Sequence, residues 1–274
     1  MNSTPTTAQS DEAPVDWRGL LDDWDRQQSG YLGDREKRFR VALDAIEVLR
    51  ADAREDFVVV DLACGPGSFS ERLLARFPAA RVIAVDMDPV LLRVGRGALG
   101  AADGRLTWVE VDLRDPSWVG ELGVTQVDAV VSSTALHWLS PHQLAATYQR
   151  LAGLVRRGGL FINADNMSYD PGQAAMATLS SAAQRRRGNE VSEQGDTPDW
   201  DAWWSGLAAV ADLDAARAER TRRAEDRRPG EDDHDPGSRL TGVRLHVAAL
   251  VEAGFVEVDT IWQDHDDRVL LAVR

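Results

Sequence analysis

Phe57-Val58-Val59-Val60-Asp61-Leu62-Ala63-Cys64-Gly65-Pro66-Gly67-Ser68-Phe69-Ser70 is the stretch from which the fold is read. Its first half is a short apolar run rich in β-branched residues, the pattern of a strand buried on both faces. Its second half breaks at two glycines and opens a helix. Glycine lets a backbone approach a ligand closely, and the N-terminus of the next helix presents N–H groups and the positive end of a dipole. In open α/β sheets ligands lie beyond the carboxyl ends of the strands, where this loop must sit. Asp86 ends the next strand about 20 residues on, placed to accept hydrogen bonds from ribose hydroxyls. A dinucleotide site shares these features. Three details argue otherwise: Ser70 stands where the third fingerprint glycine belongs; Asp61 suits a cationic amine better than a pyrophosphate; and Asp112, after the third strand, can accept from an adenine amine.

Outward from that loop the chain alternates strands and helices. Helices are expected over Asp34 to Arg50, Ser68 to Phe77, Pro89 to Leu99 and Pro141 to Val155. Strands are expected over Arg81 to Val85, Arg105 to Val111, Val127 to Val131 and Leu160 to Ala164. The rhythm predicts a parallel sheet flanked by helices. From Asn166 to Arg239 it stops: no strand is evident, Thr197-Pro198-Asp199 reads as a helix start, and Arg220 to Asp235 reads as mobile or solvated. The C-terminal part returns to a helix, Val243 to Ala253, and an antiparallel hairpin turning at Asp264 to Asp267.

The charge balance, 31 Lys and Arg against 45 Asp and Glu, gives a net charge of −14, which disfavours nucleic acid and anionic membrane surfaces as partners. One cysteine, Cys64, allows neither an intrachain disulfide nor a cysteine zinc cage, and no metal site is expected. Residues 1–16 are polar and acidic and read as a disordered leader without a secretory core. No apolar run approaches the roughly 20 residues that span a bilayer. A soluble cytoplasmic protein is expected, its oligomeric state open.

Asp61 to Ser68 resembles motif I of the class I S-adenosylmethionine-dependent methyltransferases, with Ala63 in place of the first motif glycine. Val85-Asp86-Met87-Asp88 is similar to the family's ribose-binding segment and Val111-Asp112-Leu113 to its adenine-binding segment. Asp128 to Leu139 resembles the fourth-strand motif, particularly in the branch containing trans-aconitate methyltransferase. Leu154-Val155-Arg156-Arg157-Gly158-Gly159-Leu160 is similar to the turn into strand five. The resemblance implies an α/β, doubly wound, seven-stranded sheet of order 3-2-1-4-5-7-6 with strand 7 antiparallel. Residues 17–165 and 241–274 would form this domain, and 166–240 a helical cap inserted between strands 5 and 6. It implies S-adenosylmethionine as cofactor and S-adenosylhomocysteine as product. The amino acid end would lie by Asp61, Ala63, Gly65 and Gly67, the ribose at Asp86, and the adenine at Asp112 between Met87 and Leu113. Ser133 would line the sulfonium side. Tyr31 and Arg38 would close over the site from the N-terminal segment.

The acceptor side is less legible. His137, just past strand four, is the candidate catalytic base; the competing reading is a packed loop histidine beside a core Trp138. Asp165 faces the same crevice. Trp203, with Trp200 and Trp204 at helical spacing, is either a lid over substrate or plain core. His246, on an apolar helix face, is expected to be a satisfied core residue. The function expected is methyl transfer to an O, N or C atom of a small molecule. An NAD(P)-dependent oxidoreductase and a cofactor-binding protein without transferase activity are the alternatives.

Overall fold

A computed structural model describes residues 14–50, 57–194, 200–226 and 241–274, with the side chains of residue 31 and residues 188–194 excepted. The expected leader therefore lies outside the described residues up to residue 13, as do the Thr197-Pro198-Asp199 helix start and residues 227–235 of the charged stretch.

Strands β1 (Val58–Leu62), β2 (Arg81–Asp86), β3 (Leu106–Glu110), β4 (Val127–Ser133), β5 (Val155–Asn166), β6 (Glu257–Asp264) and β7 (Asp267–Val273) form one sheet of order β3-β2-β1-β4-β5-β7-β6. β1 to β5 pair in parallel, and β7 runs antiparallel between β5 and β6. All five residues of β1 are buried. Val59 enters the core on one face with Ile46, Leu73 and Val131; Val60 and Leu62 enter the other with Val130, Tyr148, Leu151 and Leu250. That is why the strand reads as a continuous apolar run. β1 has β2 on one side and β4 on the other, so the winding reverses here and a crevice opens at the strand ends.

The helices are α1 (Trp17–Tyr31), α2 (Arg35–Leu49), α3 (Ser68–Arg76), α4 (Pro89–Leu99), α5 (Pro141–Leu154), α6 (Ala174–Gln194), α7 (Trp200–Gly206), α8 (Asp214–Glu225) and α9 (Val243–Ala253). Local chemistry sets several ends. Asp88 caps α4, accepting from Val90 N and Leu91 N at 2.9 and 3.2 Å, with Pro89 in the first turn. Ser140 and Gln143 form a capping box before α5, and Gly254, at φ 102°, ends α9.

Two features differ from the sequence reading. α1 was not anticipated; its Leu21 and Trp24 are buried against Val90, Leu91 and Val94 of α4 and against Trp203, Leu207 and Leu213 of the insertion. β5 begins at Val155 rather than after the glycines: Val127 pairs with Val155 and Ala129 with Leu160, so residues 156–159 form a bulge in the strand relative to β4. Residues 220–225, expected to be mobile or solvated, are the second half of α8 and are solvated, with none of them buried. The described part of the segment between β5 and α9 is mainly helical as expected, and a bridge between Ser168 and Gly242 draws its two ends together. None of the described helices is long and apolar enough to cross a membrane.

Candidate active site

The loop after β1 holds Ala63, Gly65 and Gly67 at φ 57°, 56° and 92°, all in the left-handed region. A Cβ on Gly67 would lie 2.6 Å from the Trp108 ring, so packing as well as backbone demands glycine there. At Gly65 the nearest atom would be 3.7 Å away, on Trp24, and backbone conformation alone imposes the residue. The loop is tied to β2: Cys64 N donates to Val85 O at 2.8 Å and Gly65 N to Asp86 Oδ2 at 2.7 Å.

Two carboxylates flank this loop. Asp61 is buried, and burial pushes its carboxyl up to about 7 although Ser70 Oγ donates to it at 2.7 Å. Asp86 retains some exposure, yet desolvation raises it to about 6 against the pull of the Asp88 and Gly65 N–H groups. Ser70, which in the sequence reads only as a missing glycine, is thus the hydroxyl that satisfies Asp61. A buried acid raised this far is matched to a cation or to hydroxyl donors. The two positions fit the ammonium and the ribose of an adenosyl amino acid.

Beyond the ends of β2 and β3 lies a groove of about 520 Å³ whose walls include Met87, Val111, Asp112, Trp118 and Arg223. Asp112 is gripped by Arg114, whose Nε and Nη2 lie 2.6–3.0 Å from its oxygens. Leu113, expected against a purine, does not line the groove; it packs against the core on the α5 and α9 face.

The β4 end carries the acceptor-side candidates. Ser133 Oγ lies 3.3 Å from Thr134 Oγ1, and Thr134 has φ 56°, a costly conformation for a β-branched residue. His137 sits in the one-turn helix Leu136–Trp138. Its Nδ1 lies 2.7 Å from Asp165 Oδ1, and its backbone N donates to Asp165 Oδ2 at 3.0 Å. Asp165 is fully buried. Burial alone would raise its carboxyl, but the His137 imidazole and the Arg38 guanidinium outweigh that and hold it below the usual carboxylate range. The sequence nominated these two residues separately; 28 positions apart, they form one dyad because β4 and β5 are neighbours. Trp138 stacks on the His137 ring at 5.3 Å but is 55% exposed, not in the core as the competing reading had it.

Arg38 is fully buried and ion-paired with Asp267; it donates to Thr134 Oγ1 at 3.2 Å and to Asn166 Oδ1 at 3.0 Å. It braces the ends of β4, β5 and β7 from beneath rather than reaching over the crevice. Tyr31 ends α1, and its side chain lies outside the described residues. Trp203 is core: it meets Trp24 edge-on at 4.9 Å and Trp204 at 5.0 Å, and its Nε1 donates to Leu20 O at 3.3 Å. The expected substrate contact there gives way to packing. His246 is buried as expected, 2.6 Å from the Tyr148 hydroxyl.

Residues 59–159 match a protein family described as a methyltransferase domain. The chain is 31% identical over 195 residues to a trans-aconitate 2-methyltransferase of Azoarcus sp. strain BH72, a match covering 70% of this chain and 64% of that protein, just under two thirds of its length. It is 30% identical over 205 residues to the trans-aconitate 2-methyltransferase of Methylobacterium nodulans, covering 70% of each. Among solved structures, an O-methyltransferase family protein from Burkholderia thailandensis matches with a TM-score of 0.50 at 17% identity, covering 93% of this chain and 69% of that one; this likeness concerns the fold.

Proposed function

We propose that this chain, which belongs to the class I S-adenosylmethionine-dependent methyltransferase family, methylates a small molecule at an atom that first gives up its proton to His137. The observation that carries this reading is the His137–Asp165 contact at the end of β4. Asp61 with the backbone of Gly65 and Gly67 would hold the amino acid end of the cofactor, Asp86 its ribose, and Asp112 with Met87 its adenine. Bound there, S-adenosylmethionine supplies an electrophilic methyl group on a sulfonium leaving group. The chain's own work is alignment, exclusion of water and custody of one proton. Asp165, ionised and buried, accepts from Nδ1 and fixes the tautomer in which Nε2 carries the lone pair; it then stabilises the imidazolium that forms. The fold and family set aside the oxidoreductase alternative. Residues 17–165 and 241–274 serve as the catalytic domain, with 166–240 as a helical cap. The acidic charge and single cysteine support a cytoplasmic enzyme that does not act on nucleic acid.

The relatives named for trans-aconitate favour a second acceptor, a carboxylate. Such an oxygen has no proton to lose near neutrality, and His137 would then serve as its cationic partner. Activity separates the two. With a panel of small carboxylic acids, phenols and amines that includes trans-aconitate, release of S-adenosylhomocysteine is followed against pH. Base catalysis gives kcat/KM rising with pH over the imidazole limb, whereas the cationic role gives kcat/KM falling. In the base reading His137→Gln lowers kcat by about 100-fold or more with cofactor affinity unchanged. Wild-type kcat in that variant overturns the assignment, and a chain that binds the cofactor but turns over no acceptor supports a binding protein instead.

A further inference from the structure

The insertion leaves the sheet at β5, yet its helix α8 comes to rest beyond β1, against the carboxyl ends of β2 and β3. None of the residues of α8 is buried, and its apolar contact with the α4 cluster comes from Ala216 at its start. Polar contacts across the fold hold the rest. Arg220 Nε lies 2.8 Å from Asp88 Oδ2, and its guanidinium lies 3.9 Å over the Trp204 ring. Arg223 Nη1 donates to the Met87 carbonyl at 2.8 Å, and its Nη2 donates to Glu110 at the end of β3. Just before α8, fully buried Leu213 anchors the segment among residues of α4. Partly exposed ion pairs contribute little singly. Here, however, two arginines on one helix face fasten to two neighbouring strand ends, and one of them fixes the backbone of Met87. Arg223 and Met87 also wall the same groove as Asp112 and Trp118.

We infer that α8 is the outer wall of the adenosine subsite: Arg223 closes the groove and holds Met87 against the purine, so the insertion governs cofactor retention. This rests on the reading that the groove receives the adenosine end of the cofactor. It differs from an insertion that serves only to choose the acceptor.

The test is calorimetric titration of the full-length protein with S-adenosylhomocysteine and, separately, with adenosine, which carries only the part said to lie under α8. Arg223→Ala is expected to weaken both ligands by the same factor, roughly tenfold, and to speed dissociation of S-adenosylhomocysteine. Glu110→Gln, on the strand side of the same pair, should change affinity in the same direction. Arg217→Ala is the control; Arg217 lies on the same helix, pairs with Asp214, donates to the Leu207 carbonyl and is not a wall of the groove. Unchanged affinity in an Arg223→Ala protein with the wild-type circular dichroism spectrum, or an equal loss in Arg217→Ala, overturns the inference. Wild-type protein that takes up neither ligand overturns the cofactor reading beneath it.

Discussion

Ala63 holds a backbone conformation, φ 57°, that costs an L-residue about 1–2 kcal/mol and a glycine almost nothing. Its side chain is one carbon, so the strain is conformational and easily removed. Glycine also gives the unfolded chain more freedom, which takes back roughly half of the gain. Ala63→Gly is therefore expected to stabilise the protein by about 0.5–1 kcal/mol in urea denaturation, with cofactor affinity unchanged. An unaltered or lower stability would show that the loop relaxes around the alanine. The departure from motif I at this position was visible in the sequence, but its sign and size were not, because they depend on a dihedral angle. Asp61 is similar. Its place beside the glycines marked it for a ligand cation, while its dependence on Ser70 emerged only once the turn brought a hydroxyl nine residues away to 2.7 Å.

At the level of elements, the sheet was legible because its central strands are buried on two faces and each helix between strands is amphipathic, so the period of the sequence carries the structure. α1 and α8 were not. α1 mixes acids and glutamines among its apolar positions, and its buried face has meaning only against α4 and the insertion, which are remote in sequence. α8 has no fully buried residue and leaves no periodic trace. The brace beneath the dyad was equally hidden: Arg38 of α2 meets partners 96, 128 and 229 residues away, at Thr134, Asn166 and Asp267. Asp267 is almost fully buried, and burial raises its carboxyl while Arg38 opposes that. Removing one member of such a pair strands the other charge. Arg38→Met is expected to cost roughly 3–5 kcal/mol, and adding Asp267→Asn to the same chain should recover a large part of that loss. Urea denaturation of the four proteins of this cycle measures the coupling. Losses that simply add would mean that the two side chains act independently.

For the whole molecule, stability and ligand binding are joined through three groups whose protons move in opposite directions. Asp61 and Asp86 are held at about 7 and about 6, against 3.8 for an ordinary aspartate. Between those limits the folded chain keeps protons that the unfolded chain has lost, so these two acids stabilise the ligand-free fold in mild acid and cease to do so as pH rises through 6 and 7. His246, pushed down by burial to about 4 from 6.5, works the other way: the unfolded chain takes up its proton first, and stability falls as pH drops from 6.5 towards 4. Between about pH 4 and 6 two acids oppose one histidine, so the ligand-free protein should lose stability as pH rises, with the slope of a single net proton. Cofactor binding acts on one side only. An ammonium beside Asp61 and ribose hydroxyls on Asp86 favour the ionised carboxylates, whereas His246 lies on α9, away from the glycine loop, and cancels in the difference between bound and free protein. Binding must then release protons near neutrality. The rise in Tm produced by a fixed concentration of S-adenosylhomocysteine should grow steadily from about pH 5 to about pH 8. Scanning calorimetry at several pH values reads this directly, and an increment that stays flat or shrinks over that range would mean that neither carboxylate changes its ionisation when the ligand arrives.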